Sequence, residues 1–163
     1  MPMVTLREIS VDNFEECLSL SVAEDQKKHI ASNAYSLAEA YALSREGRDV
    51  PLPYAIYAHG QMVGFVLTIF QPPDEQDPED DETVFYLARM MIDRRYQGRG
   101  YGRQAMLQLL EIMKAFQDGR AEAVVLSCSP DNIAARKFYT SLGCVDSGEL
   151  DGDGDIYYRL ELR

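Results

Sequence analysis

Long apolar runs are missing from this 163-residue chain. No stretch approaches the roughly 20 residues that a membrane-spanning helix needs, so no membrane partner is expected. The first ten residues, MPMVTLREIS, lack a charged segment followed by an apolar one. No secretory signal is therefore expected, and the cytoplasm is the expected location. Cysteine is scarce. Cys17, Cys128 and Cys144 are an odd number without metal-like spacing, and they read as small core residues. No metal-ligand set is read elsewhere. A catalytic thiol is not expected, because neither His29 nor His59 lies in a recognisable partner motif. Positive charge is also short: 16 Lys and Arg stand against 27 Asp and Glu, a net charge of −11. That argues against nucleic acid or an anionic membrane as the main partner and suits cationic ligands. No repeat, linker or shift in composition divides the chain, so residues 1–163 read as one domain.

What is present begins with alternating segments of strand and helix character. Met3 to Ile9 alternates apolar and polar and reads as a strand. Ser10 can cap a helix to about Ser19, with Phe14, Cys17 and Leu18 inward. Glu24 to Ala31 reads as helical. Ser36-Leu37-Ala38-Glu39 has capping-box form and predicts a helix to about Arg45, ended by Gly47. Pro51 and Pro53 predict a loop. Tyr54 to Ala58 and Met62 to Phe70 predict a hairpin turned at His59-Gly60-Gln61. From Asp74 to Glu82, seven of nine residues are acidic, which predicts a self-repelling loop. Thr83 to Ile92 reads as a strand, Tyr101 to Phe116 as a helix and Ala123 to Ser129 as a short buried strand. A helix over Asp131 to Leu142 ends at Gly143. Two last strands, about Cys144 to Leu150 and Ile156 to Leu162, flank Asp151-Gly152-Asp153-Gly154-Asp155. That run is a hairpin turn and not a calcium loop, because its sixth and twelfth positions hold Ile156 and Leu162.

The segment from Phe85 to Met106 carries the chemistry. An apolar strand runs into Gln97-Gly98-Arg99-Gly100-Tyr101-Gly102-Arg103 and then into a helix. Strand, glycine turn and helix together aim backbone N–H groups and a positive dipole end at a phosphate. Glycine lets the backbone approach, and Arg99 and Arg103 add charge suited to a pyrophosphate. Two common phosphate loops do not fit. A dinucleotide fingerprint needs a third glycine where Arg103 stands, and a P-loop needs Lys followed by Ser or Thr. Gln97, Gly100 and Gly102 do fit the pattern Gln/Arg-x-x-Gly-x-Gly/Ala. Further on, Asn132, Ala135 and Tyr139 share one helix face.

These two segments resemble those of the GCN5-related N-acetyltransferase (GNAT) family, where the glycine loop holds the acetyl-CoA pyrophosphate. The resemblance covers essentially the whole chain. It is nearest to the bacterial spermine/spermidine (diamine) N-acetyltransferase branch, through Arg89, Ile92, Asp93, Tyr96 to Gly98 and Gly100, and through Gly148 to Asp151. It implies an α/β (α+β) fold, a mixed central sheet of about seven strands flanked by about four or five helices. It implies acetyl-CoA as cosubstrate without a metal. Met90, Met91 and Ile92 would bind pantetheine by their backbone. Gln97, Gly98, Arg99, Gly100, Tyr101, Gly102 and Arg103 would take the pyrophosphate. Asn132 and Ala135 would border the pantetheine, and Tyr139 would protonate the leaving thiolate. The implied acceptor is a small amine, polycationic if it is a polyamine such as spermidine or spermine. Another amine, such as an aminoglycoside or a protein N-terminus, and a CoA-binding regulator without turnover stay open, as does a homodimer. Two positions depart from the pattern. Cys144 stands where an aromatic is usual. Ala88 stands where some polyamine acetyltransferases carry an acidic residue, so no general base comes from that point. Two readings of the Asp74 to Glu82 block stand side by side: plain solvation, or steering of a polycation past the strand that follows it.

Overall fold

The computed structural model describes residues 3–163. Its centre is one seven-stranded sheet in the order β1-β2-β3-β4-β5-β7-β6. The strands are β1 (Val4–Glu8), β2 (Val50–Ala58), β3 (Gln61–Gln71), β4 (Val84–Ile92), β5 (Ala123–Cys128), β6 (Val145–Leu150) and β7 (Ile156–Glu161). The helices are α1 (Phe14–Ser19), α2 (Asn33–Glu46), α3 (Tyr101–Lys114) and α4 (Ile133–Ser141). This is the mixed fold expected from the sequence. The ladders are antiparallel except between β4 and β5, which are parallel because α3 carries the chain back over the sheet between them.

Helices cover both faces. Cys17 of α1 and Ala40 of α2 pack with Ala55, Phe65, Leu67 and Met91. Ala105, Met106, Leu109 and Met113 of α3 pack on the other face with Val66, Phe85, Leu87, Val124 and Leu126. With both faces covered, β3 is apolar almost throughout and buried from Met62 to Phe70.

Several local expectations are corrected. Pro51 and Pro53 lie inside β2. β1 reaches along β2 only to Tyr54, so both prolines occupy a stretch with one open edge, where a missing N–H breaks no ladder on that side. The second helix starts before the capping-box sequence: Ser32 is the N-cap and accepts from the Tyr35 amide. Ser36 is buried within α2 and donates to the Ser32 carbonyl, while Glu39 pairs with Arg89 instead of capping. α1 buries only Cys17; Phe14 and Leu18 are 37% and 43% exposed. The Glu24 segment is a 3-10 turn, Glu24–His29.

β4 contains a bulge. Leu67 pairs with Arg89 and Thr68 with Leu87, so Ala88 has no partner on β3. The extra residue leaves Ala88 and Arg89 consecutive on the α2 side of the sheet, since Ala88 packs in that core and Arg89 pairs with Glu39 of α2. The β4–β5 ladder is short. It holds only three pairs, from Val84↔Ala123 to Tyr86↔Val125, and beyond Tyr86 the strands part.

Candidate active site

The parting strands open a cleft of about 1140 Å³. That exceeds the ~300–1,000 Å³ typical of a site for one small ligand, so two substrates can share it. Along one wall run Leu87 to Ile92 of β4, whose backbone on this side has lost its β5 partner. Such an edge can pair with an extended ligand as a strand would.

At the far end of β4 the chain turns sharply. Asp93 is buried and accepts from the amides of Ser21 (2.9 Å) and Arg95 (3.0 Å) and from the Arg95 side chain (2.8 Å). Burial works against its charge, but the Arg95 guanidinium and these amides outweigh it and hold the carboxyl below its usual range. The Gln97 side chain donates to the Ile92 carbonyl and forms a reciprocal amide pair with Gln26. The 3-10 segment and the glycine turn are thereby tied together. Gly98 and Gly100 then adopt φ of +77° and +81°, with open space where a Cβ would stand. Gly100 caps α3. No amide from Gly98 to Arg103 donates to another group among the described residues, whereas Gln104 donates to the Gly100 carbonyl. Free amides on a helix N-terminus form an anion cradle.

Of the residues singled out in the sequence, the cleft gathers Met90, Met91, Ile92, Gln97, Gly98, Gly100, Tyr101, Gly102, Arg103, Asn132, Ala135 and Tyr139. Arg99 belongs to the loop but does not line the cleft. Its guanidinium donates to the Arg95 carbonyl (3.3 Å) and lies over the Tyr96 ring. The Tyr101 side chain is buried in the α3 core, so only its backbone can serve a ligand. Asn132 is the N-cap of α4, with Oδ1 accepting from the Ala135 amide at 3.2 Å. Tyr139 packs edge-on to Phe138. Its hydroxyl has no partner among the described residues and is not sealed in the interior. Burial of the ring, with the Cys128 and Cys144 thiols nearby, pushes the phenol well above its usual range.

Other lining residues had no signal in the sequence. Tyr86 and Ser127 face each other across the parting strands, and Lys28 and His29 come from the 3-10 turn. The acids in the lining are Asp131, just before α4, and Asp151, Asp153 and Asp155 of the β6–β7 turn. The Asp74 to Glu82 block is elsewhere. It joins the end of β3 to the start of β4, six residues or about 20 Å along the strand from Met90. There it is largely self-satisfied: the Asp74, Asp77 and Asp80 carboxylates accept loop amides, and Glu82 pairs with both Nη atoms of Arg159. None of its residues lines the cleft, so of the two readings of this block the structure favours solvation.

The family model described as Acetyltransferase (GNAT) family matches residues 15–144. The chain belongs to the GNAT family. This acetyltransferase is 28% identical over 159 residues to a spermine/spermidine N(1)-acetyltransferase of Bacillus subtilis (strain 168), covering 98% of this chain and 99% of that one. It is 27% identical, over the same length and shares, to a probable spermine N(1)-acetyltransferase of Bacillus subtilis subsp. natto (strain BEST195). Its fold is shared with a spermidine N-acetyltransferase from Vibrio cholerae in complex with CoA and spermine, at a TM-score of 0.67, 15% identity and coverage of 98% and 96%. An aminoglycoside acetyltransferase in complex with coenzyme A superposes at a TM-score of 0.73, with 18% identity and coverage of 97% and 94%.

Proposed function

We propose that this acetyltransferase moves the acetyl group of acetyl-CoA directly to a primary amine of a polyamine such as spermidine or spermine. One observation carries the reading: the cleft is bipolar. Free amides and Arg103 stand at the α3 end, and three aspartates stand at the β6–β7 end. A ligand pair with a phosphate group on one side and ammonium groups on the other matches that layout. The full-length similarity to spermine/spermidine acetyltransferases supports the acceptor class.

Acetyl-CoA supplies an activated acetyl thioester. The amides of Gly98 to Arg103 bind its pyrophosphate, and the open space at Gly98 and Gly100 admits it. The free edge of Met90 to Ile92 holds the pantetheine arm, and Asn132 and Ala135 border it. The amine nitrogen bonds to the acetyl carbon and the carbon–sulfur bond breaks. Tyr139, protonated at neutral pH, donates its proton to the sulfur and is reprotonated by the proton that the attacking nitrogen sheds as the amide forms. The attacking nitrogen must first lose a proton, since an alkyl ammonium has a pKa of about 10.4. Carboxylates around it would only raise that value. Asp151, Asp153 and Asp155 therefore hold the distal ammonium groups, and the reacting nitrogen lies deeper, toward Tyr139.

The test is an amine panel with acetyl-CoA, read by thiol release. Spermidine or spermine should give the highest kcat/KM. A folded Gly100→Val variant should lose coenzyme A binding, because its side chain fills the cradle and its backbone cannot easily hold φ of +81°. Equal use of aminoglycosides or peptides, or binding without turnover, overturns the polyamine assignment.

A further inference from the structure

Ala88 lies outside both ladders of β4. No residue of β3 pairs with it, and the β5 ladder has already ended at Tyr86. Its carbonyl accepts instead from a side chain: Nη1 of Arg89 donates to it at 2.8 Å. Nη2 of the same guanidinium donates to Oε1 of Glu39 on α2 at 3.2 Å. The group also stands 5.7 Å from the centre of the Tyr35 ring. One planar fork thus ties the extra residue of the strand to the helix that covers it. The Arg89 side chain is only 19% exposed, and its Nε has no partner among the described residues. A buried donor left unpaired is costly, and it persists here because the other two nitrogens are committed.

The place of this clamp matters more than its strength. Along a strand, the backbone groups of successive residues point alternately to one neighbour and to the other. One extra residue exchanges the set that faces β3 for the set that faces away. Beyond the bulge the β3–β4 pairing runs from Leu67↔Arg89 to Gly64↔Ile92. Loss of the bulge would slip that register by one residue. Every side chain of the stretch would turn to the opposite face, and the cleft would be offered the other set of N–H and C=O groups. Ala88 and Arg89 themselves line the cleft, immediately before Met90. What the open edge presents to a ligand is therefore decided at Ala88.

We infer that Arg89 is a positioning residue for acetyl-CoA: held by Glu39, its guanidinium fixes the bulge at Ala88 and so selects the backbone groups of Met90 to Ile92 that face the pantetheine arm. The inference rests on the proposed use of that edge by acetyl-CoA and names what holds it in register. It is independent of which amine accepts the acetyl group.

The test compares two ligands by calorimetry. One is coenzyme A. The other is 3′-phosphoadenosine 5′-diphosphate, which carries the same nucleotide and pyrophosphate without the pantetheine arm. Arg89→Ala should weaken coenzyme A binding about tenfold, as expected for one lost hydrogen bond to a charged group. Affinity for the nucleotide fragment should stay within about twofold, because the glycine turn that holds it is a separate element. Arg89→Lys keeps the charge but cannot span two partners, and should behave like Arg89→Ala. Glu39→Gln keeps an oxygen to accept from Arg89 and loses only the charge, so it should show the same pattern with a smaller loss. If Arg89→Ala fails to fold, Arg89→Lys and Glu39→Gln decide. Equal losses for both ligands would reduce Arg89 to a residue of general stability and overturn the inference. Unchanged coenzyme A affinity in the folded variants, or full rescue by Arg89→Lys, overturns it as well. Each of these results leaves the proposed function standing. Failure of the unmodified protein to bind either ligand overturns the proposed function and this inference together.

Discussion

At Tyr139 the chain sets a phenol against two thiols, Cys128 and Cys144. Burial raises all three pKa values, Cys144 to about 11. None of these groups ionises at neutral pH, so the thiols are inert and the phenol keeps its proton for donation. A free thiol has a pKa of about 8.5, below that of the phenol, so Tyr139 serves the leaving sulfur as a hydrogen-bond donor, and full transfer requires the proton shed by the nitrogen to replace the one it gives. Tyr139→Phe keeps the ring against Phe138 and removes only the hydroxyl. We expect kcat to fall roughly 100-fold or more, with acetyl-CoA affinity little changed. Single-turnover kinetics and equilibrium binding on the same variant check both halves. Turnover within a few-fold of the unmodified enzyme would make Tyr139 a packing residue.

Between elements, the join of β4 to α3 is held by Asp93 from below and by the Gln26–Gln97 pair from the side. Asp93→Ala strands the Ser21 and Arg95 donors, and should cost about 3 kcal/mol, read as a lower urea midpoint at constant slope. The carboxyl is depressed in the fold, so its contribution is complete above the ordinary carboxylate range and is lost as pH falls through its lower folded value. The variant should therefore show a flatter loss of stability below about pH 4 than the unmodified protein. This join was legible in the sequence, because glycines at a strand-to-helix turn leave few alternatives. So was the face shared by Asn132, Ala135 and Tyr139, which depends only on helical spacing. Pro51 and Pro53 misled, since their tolerance depends on where β1 stops, a long-range fact. Ser36 misled because Ser32 competes for the same cap. The bulge at Ala88 and the Tyr86–Ser127 contact were illegible: each depends on the register of two strands distant in sequence.

Across the whole molecule, ten of the 27 acidic residues fall in two runs with different relations to the cleft. Asp151, Asp153 and Asp155 line it, and Asp153 is the exposed member. The Asp74 to Glu82 block is some 20 Å along β4 from Met90. Screening over about 8 Å at physiological salt leaves little of the block's field at that range, whereas the turn acts at contact. Composition alone favoured the larger block, and distance reverses the order. The acceptor KM should rise with salt, more for spermine than for a monoamine, because several weak exposed pairings act on one polycation. The KM for acetyl-CoA should not follow it upward. Asp153→Asn should raise the spermine KM a few-fold at low salt and flatten its salt dependence. Changing Asp77, Glu79, Asp80 and Asp81 to amides should leave both nearly as they were, even though it removes four charges against one. Titration of spermine KM from low to high salt in the two variants decides between the runs. If the fourfold variant flattens the curve and Asp153→Asn does not, charge reaches the acceptor from the β3–β4 loop, and the assignment of the β6–β7 turn to the distal ammonium groups is wrong.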